Sequence, residues 1–488
     1  MKMENSDKRN WKIIYSGYEG MVKKAVDLVY SELGSYILRD YGQYAIYVLP
    51  CESVEVAKID KNSVIIGVYE ENSLVQKYVK EDEIPEGGYV VKVCDSGADD
   101  GLKVAVITAR HPIEVFYGAV DFVDDYTVST AMIDSGIMLM NRLVDPSLGP
   151  FPDYYSASSP SVKTRTVWAW GHPINDYRRY IENMARLRLN QLVLWNDFVP
   201  INAKDIIDYA HEYGIRVIWG YSWGWITKCW TFDPDDIPNV QRRAIEIFES
   251  QYAPLGVDGI YFQSFTENTG ALLKGRLVAQ IVTDFVNDTA EKLLNKYPDL
   301  YIIFGLHAKS VRENLRFLKN VDPRIEIMWE DCGAFPYAYV PEAPSDEEFK
   351  STLDFTDEII SLRGKAPISL LIRGVATMSW ISFAHQAGNY VIGKSAPSVI
   401  EHDKAIMRPI WRTLQAQWHK NGAGRYAYDM IRHVAELGRD DVAIGMAGQF
   451  AGGIWLNEAV TAQILWNCNE PYDEILEKVS RRRCTESV

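Results

Sequence analysis

DGIYFQSFTE, residues 258–267, has the pattern of a buried strand that ends in a carboxylate. Its apolar core, residues 260–262, is short and β-prone, and Gly256 and the turn residues 268–270 bracket it. Helical patterns at 241–256 and 275–298 lie on either side, and a strand between two helices is typical of a parallel sheet. In a closed barrel of such units the active site lies at the carboxyl ends of the strands, where Glu267 would stand.

From Arg165 onward the chain alternates between strand and helix patterns. Seven strand candidates are RTVWAWG (165–171), QLVLWND (191–197), RVIWGYSWG (216–224), DGIYFQSFTE (258–267), YIIFGLHA (301–308), IEIMWEDCG (325–333) and PISLLIRG (367–374). DVAIGMAG (441–448), which follows a helical insertion at 398–437, is the best eighth candidate. No GxGxxG follows the first strand, which disfavours a doubly wound open sheet. We therefore predict a (β/α)8 TIM barrel over residues 165–455, with C-terminal helices over 456–488.

A smaller α/β domain is predicted before the barrel. Residues 1–140 contain the strand candidates WKIIYS, YAIYVLP, SVIIGV, GYVVKV and LKVAVITA, and helical patterns around 21–33 and 111–126. No acid-base pair lies in a Gly-rich turn here, so we expect a supporting domain. Residues 141–164 carry four prolines and a serine cluster, which is typical of a linker.

Composition narrows the classes of function. The net charge is −15, and no basic stripe in the sequence offsets it. Both observations argue against nucleic-acid or anionic-membrane partners. The six cysteines form no CxxC pair, so neither a zinc ribbon nor a disulfide framework is indicated. The N-terminus lacks a signal-peptide run and no stretch reaches about 18 apolar residues, so we expect a cytoplasmic protein. The helical segments 398–437 and 457–479 could form a homodimer surface.

The predicted strand ends combine hydrogen-bonding groups with broad aromatic faces. Sugar rings need both, because they have an apolar C–H face and a polar rim. The sequence therefore predicts a carbohydrate site with these substrate-binding candidates: Trp170, His172, Asn196, Asp197, Tyr221, Trp223, Asn268, His307, Trp329 and Arg373. Part of the tryptophans on these strands would instead fill the barrel core, Trp168 and Trp219 first among them.

Two carboxylates facing one another are the minimum for hydrolysing a glycosidic bond. Glu267 is the predicted general acid, on the same strand side as Tyr261 and Gln263. Glu330 and Asp331 compete for the second role, because successive strand residues point to opposite faces, and Glu330 is preferred. No HExxH, GxSxG or Walker motif is present, and no cofactor or metal is expected, although a metal set from separate strands stays open.

The pattern SVIIGV, GYVVKV, LKVAVITA and FYGAVDF resembles the small α/β domain before the barrel in family 20 hexosaminidases and family 67 alpha-glucuronidases. The run RTVWAWGHPINDYRRYIENMARLRLNQLVLWND is similar to the start of the barrel in the same clan. Hexosaminidases carry an Asp-Glu pair after the fourth strand, whereas this chain has Thr266-Glu267, so the resemblance implies the acid without its neighbour.

Alpha-glucuronidases pair a glutamate after the fourth strand with carboxylates from later strands, which is similar to Glu267 with Glu330 or Asp331. A uronate substrate would also need a cation such as Arg373. Arg165 is placed like the sugar-binding arginine of hexosaminidases, and it can equally be structural. The sequence thus predicts a glycoside hydrolase acting on oligosaccharides; the alternative is a barrel that binds carbohydrate without cleaving it.

Overall fold

The computed structural model describes residues 11–34, 37–40, 43–46, 51–98, 101–127, 152–169, 174–196, 198–223, 233–263, 272–306, 312–329, 345–372, 375, 389–448 and 454–482. The chain divides into two compact units. Unit one is Met1–Pro160 with Leu476–Cys484, and unit two contains Ser161–Ile475.

Unit one is built on a six-stranded mixed sheet. Its strands are β1 (Trp11–Tyr15), β4 (Cys51–Ser53), β5 (Asn62–Val68), β6 (Tyr89–Asp95), β7 (Lys103–Ala109) and β8 (Tyr154–Ser158), in the order β4-β1-β5-β7-β6-β8. β6 pairs antiparallel with β7 and β8, and the other pairings are parallel. A separate hairpin joins β2 (Ile37–Asp40) to β3 (Gln43–Ile46). The edge strand β8 lies within the stretch predicted as a linker.

Two helices, α1 (Gly20–Gly34) and α2 (Pro112–Asp121), accompany this sheet, and a π-helical turn, Phe122–Thr127, continues α2. β5 is buried along its whole length, as expected for a central parallel strand covered on both faces. One core cluster lies between the sheet and the 3-10 turns of residues 69–83, and contains Ile14, Ile65, Val75, Val79, Ile84, Val90, Val104 and Val106.

Unit two is a closed barrel of eight parallel strands, which confirms the predicted fold class. Its strands are β9 (Thr164–Trp168), β10 (Gln191–Trp195), β11 (Arg216–Gly220), β12 (Gly259–Phe262), β15 (Tyr301–Leu306), β16 (Glu326–Trp329), β17 (Ile368–Ile372) and β18 (Val442–Ala447). Closure is completed by β18 pairing with β9, with Ile444 opposite Arg165. Each strand arises from one of the eight predicted apolar runs.

Helices follow most of these strands. They are α3 (Tyr177–Arg186), α4 (Ala203–His211), α5 (Ile237–Ile247), α6 (Val278–Lys296), α7 (Asp346–Arg363), α8 (Pro397–Lys420), α9 (Ala423–Ala435), α10 (Leu456–Trp466) and α11 (Tyr472–Ser480), with a short hairpin of β13 (Leu272–Leu273) and β14 (Arg276–Leu277) before α6. A 3-10 helix, Arg312–Asn320, takes this place between β15 and β16. The Ser345 hydroxyl accepts from the Glu348 amide and caps α7.

The barrel interior is identified by one buried cluster to which every strand contributes. Its members are Trp168, Val193, Trp195, Ile218, Tyr261, Ile303, Met328, Leu371, Ala447 and Trp455. Because side chains alternate along a strand, these residues define which positions of each strand face the lumen and which face the helices.

Part of the predicted dimer surface is buried inside unit two. Residues 457–466 of α10 are all buried, so this helix offers no surface to a partner. α8 exposes Val399 and Ile406. None of the helices in the described part of the chain is long and apolar enough to cross a membrane.

Candidate functional site at the carboxyl end of the barrel

Most of the predicted site lies outside the described residues. This applies to all three candidate catalytic residues, Glu267, Glu330 and Asp331, and to the binding candidates Trp170, His172, Asp197, Asn268, His307 and Arg373. The described part of the site is its floor, formed by the last residues of the barrel strands.

An aromatic group closes the lumen beneath the strand ends. The Tyr261 ring meets the Trp168 ring at a centroid distance of 6.3 Å and the Trp195 ring at 5.8 Å, both edge to face. Gln263 is buried and donates from Nε2 to the Tyr261 hydroxyl at 3.0 Å. This bond puts Gln263 on the lumen side of the chain, as the strand-parity argument for Glu267 requires.

Asn196 lies directly after β10, beside the lumen residue Trp195. Its Oδ1 atom is buried and has no hydrogen-bond partner among the residues that the structure describes. A buried amide oxygen without a partner is costly, so a hydrogen-bond donor is expected to reach it. Asn196 therefore stays a binding candidate on the ground of its buried oxygen, although alternation from Trp195 puts it out of phase with the lumen.

Three of the predicted binding residues, beginning with Tyr221, face the helices. Tyr221 stacks on Tyr252 at 4.8 Å and donates its hydroxyl to the Ala244 carbonyl at 3.0 Å. Burial raises the pKa of the Tyr221 hydroxyl well above its ordinary value, so it stays protonated. Its position is a packing contact between β11 and the helical layer.

Trp223 and Trp329 are also packing residues. The Trp223 ring lies parallel to Phe262 at 3.7 Å, and Phe262 faces away from the lumen. Trp329 meets Phe355 of α7 edge to face at 4.7 Å. Both indoles are buried, at 0% and 2% exposure, so neither presents a face to a sugar in this structure.

Arg165 lies at the amino end of β9, opposite the predicted site. Its guanidinium donates to three backbone carbonyls, those of Arg188 at 2.6 Å, Val162 at 2.8 Å and Lys163 at 2.9 Å. It is also stacked over the Trp466 ring at 5.2 Å and is 2% exposed. The geometry therefore favours the structural role for Arg165 over sugar binding.

A buried carboxyl group, Glu326, also stands at the amino end of the barrel. It lies on the lumen side of β16, two residues before Met328, and accepts a hydrogen bond from the Tyr301 hydroxyl. Burial raises the pKa of Glu326. Chemistry in TIM barrels takes place at the other end, so this acid belongs to the packed base of the barrel.

Two features of the site had no signal in the sequence analysis. Trp455, after β18, completes the lumen cluster and is 4% exposed. Residues 389–396 form backbone hydrogen bonds with the loops after β9 and β10. Backbone contacts of this kind leave no pattern of side chains in the sequence.

Among the described residues no group of three His, Cys, Asp or Glu side chains is placed to hold a metal ion. Comparison with protein-family models finds no match, and neither does comparison with curated proteins.

Two solved structures of glycoside hydrolases are similar in fold. One is titled "Structure of CpGH84D" and matches with a TM-score of 0.43 and 12% identity, over 97% of this chain and 89% of that one. The other is described as a "GH138 enzyme targeting pectin rhamnogalacturonan II". It matches with a TM-score of 0.47 and 10% identity, over 95% of this chain and 52% of that one. Neither description names family 20 or family 67.

Proposed function

We propose that this protein is a glycoside hydrolase whose site lies at the carboxyl end of the barrel. The observation that supports the proposal is the phase of side-chain alternation in the strands. Seven predicted site residues lie an even number of positions after a lumen residue of their own strand: Trp170 and His172 after Trp168, Asp197 after Trp195, Glu267 after Tyr261, His307 after Ile303, Glu330 after Met328 and Arg373 after Leu371. Acids, a cation and aromatic groups at these sequence positions are the composition that a sugar pocket needs.

The same phase separates the two candidates for the second carboxylate. Met328 faces the lumen, while Trp329 packs on α7. Alternation from these two residues favours Glu330 over Asp331 as the partner of Glu267. In this proposal Glu267 protonates the leaving oxygen and Glu330 acts as nucleophile or activates water.

Arg373 suggests the substrate class. It is two residues beyond Leu371, in phase with the lumen, and an arginine fork binds a carboxylate through two parallel hydrogen bonds. A terminal uronic acid, as in alpha-glucuronidase substrates, is therefore the favoured sugar. A hexosaminidase-like substrate is the second choice, because Thr266 replaces the acid that would orient an acetamido group.

A panel of aryl glycosides and uronides tests the function, with NMR of the first anomer released. We expect hydrolysis of at least one uronide. Retention of configuration would indicate carboxylates about 5–5.5 Å apart, and inversion about 6.5–9.5 Å. Release of no sugar from any member, together with binding of the same sugars in calorimetry, would favour the non-catalytic carbohydrate-binding barrel.

A further inference from the structure

Residues 389–396, called here the docked segment, follow β17 in the chain but lie against loops that follow β9 and β10. The Ile201 amide donates to the Tyr390 carbonyl at 2.9 Å, and the Tyr390 hydroxyl donates to the Phe198 carbonyl at 2.7 Å. Further along, the Tyr177 amide donates to the Gly393 carbonyl at 3.0 Å. Loops from the first, second and seventh barrel strands are therefore joined at the carboxyl end.

Asn202 makes a two-way connection in this contact. Its Nδ2 donates to the Ile392 carbonyl at 2.9 Å, and its Oδ1 accepts from the Ile392 amide at 3.1 Å. The residue is 6% exposed. It occupies the N-cap position of α4, where an asparagine ordinarily accepts a hydrogen bond from its own helix, yet it makes no such bond. The side chain thus serves the docked segment instead of α4.

Gly393 shows how closely the docked segment approaches its neighbour. Its φ is +68°, a left-handed conformation, and a Cβ at this position would lie 2.5 Å from the Tyr177 Cβ. Only glycine fits both the conformation and the close approach. The segment is therefore held at a defined distance from the start of α3.

Three large apolar side chains remain exposed on the joined loops. Phe198, Ile201 and Val391 are 51%, 70% and 49% exposed. They flank the hydrogen bonds that join the two loops, at the end of the barrel where the proposed site lies. An apolar surface at this end of the barrel suits the C–H face of a second ring that extends outside the proposed pocket.

We propose that Asn202 is a positioning residue that fixes this apolar surface as the contact for the leaving-group sugar of the substrate. The inference rests on the proposed hydrolase function. Without the Ile392 connection the β10 loop and the docked segment would be joined only through Tyr390, and the apolar surface would be less firmly positioned for the second ring, while the chemistry at Glu267 would continue.

Asn202→Ala tests the proposal, and Asn190→Ala is its matched control. Asn190 also joins two segments through both ends of its amide, donating to the Lys163 carbonyl and accepting from the Arg165 amide, each at 2.8 Å. It lies at the amino end of the barrel. With a disaccharide substrate we expect KM to rise roughly tenfold in Asn202→Ala with little change in kcat, and both constants to be unchanged in Asn190→Ala.

Asn202→Asp keeps the acceptor for the Ile392 amide, so its KM should lie between those of the wild type and Asn202→Ala. A purely structural loss would not predict this partial recovery. An unchanged KM in Asn202→Ala, or an equal rise in Asn190→Ala, would overturn the proposal. So would an equal rise for a methyl glycoside, whose leaving group has no ring.

Hydrogen exchange separates failure of this inference from failure of the proposed function. If the wild-type protein hydrolyses no glycoside, the hydrolase proposal fails, and the role of Asn202 at a glycosidase site fails with it. Faster exchange in peptides covering 389–396 for Asn202→Ala, but not for Asn190→Ala, is expected in either case. Unchanged exchange in Asn202→Ala would show that Asn202 does not hold the docked segment.

Discussion

At the scale of single residues, Tyr261 and Gly305 set the floor of the candidate site. A Cβ at Gly305 would lie 2.3 Å from the Tyr261 hydroxyl oxygen, and the ring is confined by Trp168 and Trp195. Gly305→Ala should therefore destabilise the protein by about 1–3 kcal/mol through overpacking. Urea unfolding measures the loss. In the Tyr261→Phe background, which removes the closest atom, the same substitution should cost less; an equal cost would contradict this explanation.

Glu326 gives a pH-dependent prediction at the same scale. Burial raises its pKa, so the folded state holds a proton that the unfolded chain releases above about pH 4.3. The stability contributed by this group is complete below the unfolded pKa and is lost as pH rises toward the folded pKa. Glu326→Gln keeps an acceptor for Tyr301 and removes the titration. Urea unfolding of both proteins from pH 4 to pH 7 should show the variant gaining on wild type as pH rises, and a constant difference would refute the assignment.

At the scale of elements, α8 and α11 are joined by a histidine that stays neutral. His419 Nδ1 and the Tyr472 hydroxyl are 2.7 Å apart. Burial lowers the pKa of His419 to about 4. The unfolded histidine takes up a proton near pH 6.5, so stability falls as pH drops from about 6.5 toward about 4, by roughly 1–3 kcal/mol. His419→Asn, which retains a polar atom near Nδ1, should lose less stability over this range, as thermal unfolding at pH 7 and pH 4.5 would reveal. Equal losses would contradict the prediction.

The elements were predictable from the sequence, and the direction of their side chains was not. Each barrel strand is a short β-prone run between helical patterns, so its position could be inferred. Parallel strands buried on both faces are apolar throughout, so the sequence does not show which of their side chains face the lumen. The sequence pattern therefore puts Tyr221, Trp223 and Trp329 among the site candidates, and only the structure shows that they pack toward the helices.

The docked segment illustrates a second limit on sequence prediction. Part of its connection to distant loops is made by backbone amides and carbonyls, which every residue carries. Asn202 is of a residue type that commonly caps helices, and only the fold shows that its side chain binds Ile392 instead.

At the scale of the whole molecule, the two ends of the barrel differ in what they hold. The amino end contains the hydrogen-bonded Arg165 and the buried Glu326. The carboxyl end contains Asn196, with its buried oxygen, and the aromatic floor formed around Tyr261. This polarity is the ordinary division of a TIM barrel into a stabilising and a catalytic end. In the proposal, Glu267 is the catalytic acid of one end and Glu326 is a structural acid of the other.

The turnover of Glu267→Gln, compared with Glu326→Gln on a glycoside that the wild-type protein cleaves, tests the central claim most directly. We expect kcat to fall by about 10²–10⁴-fold in Glu267→Gln, with binding of the sugar retained, because the leaving oxygen loses its proton donor. Glu326→Gln should keep wild-type turnover. Unchanged turnover in Glu267→Gln would contradict the account.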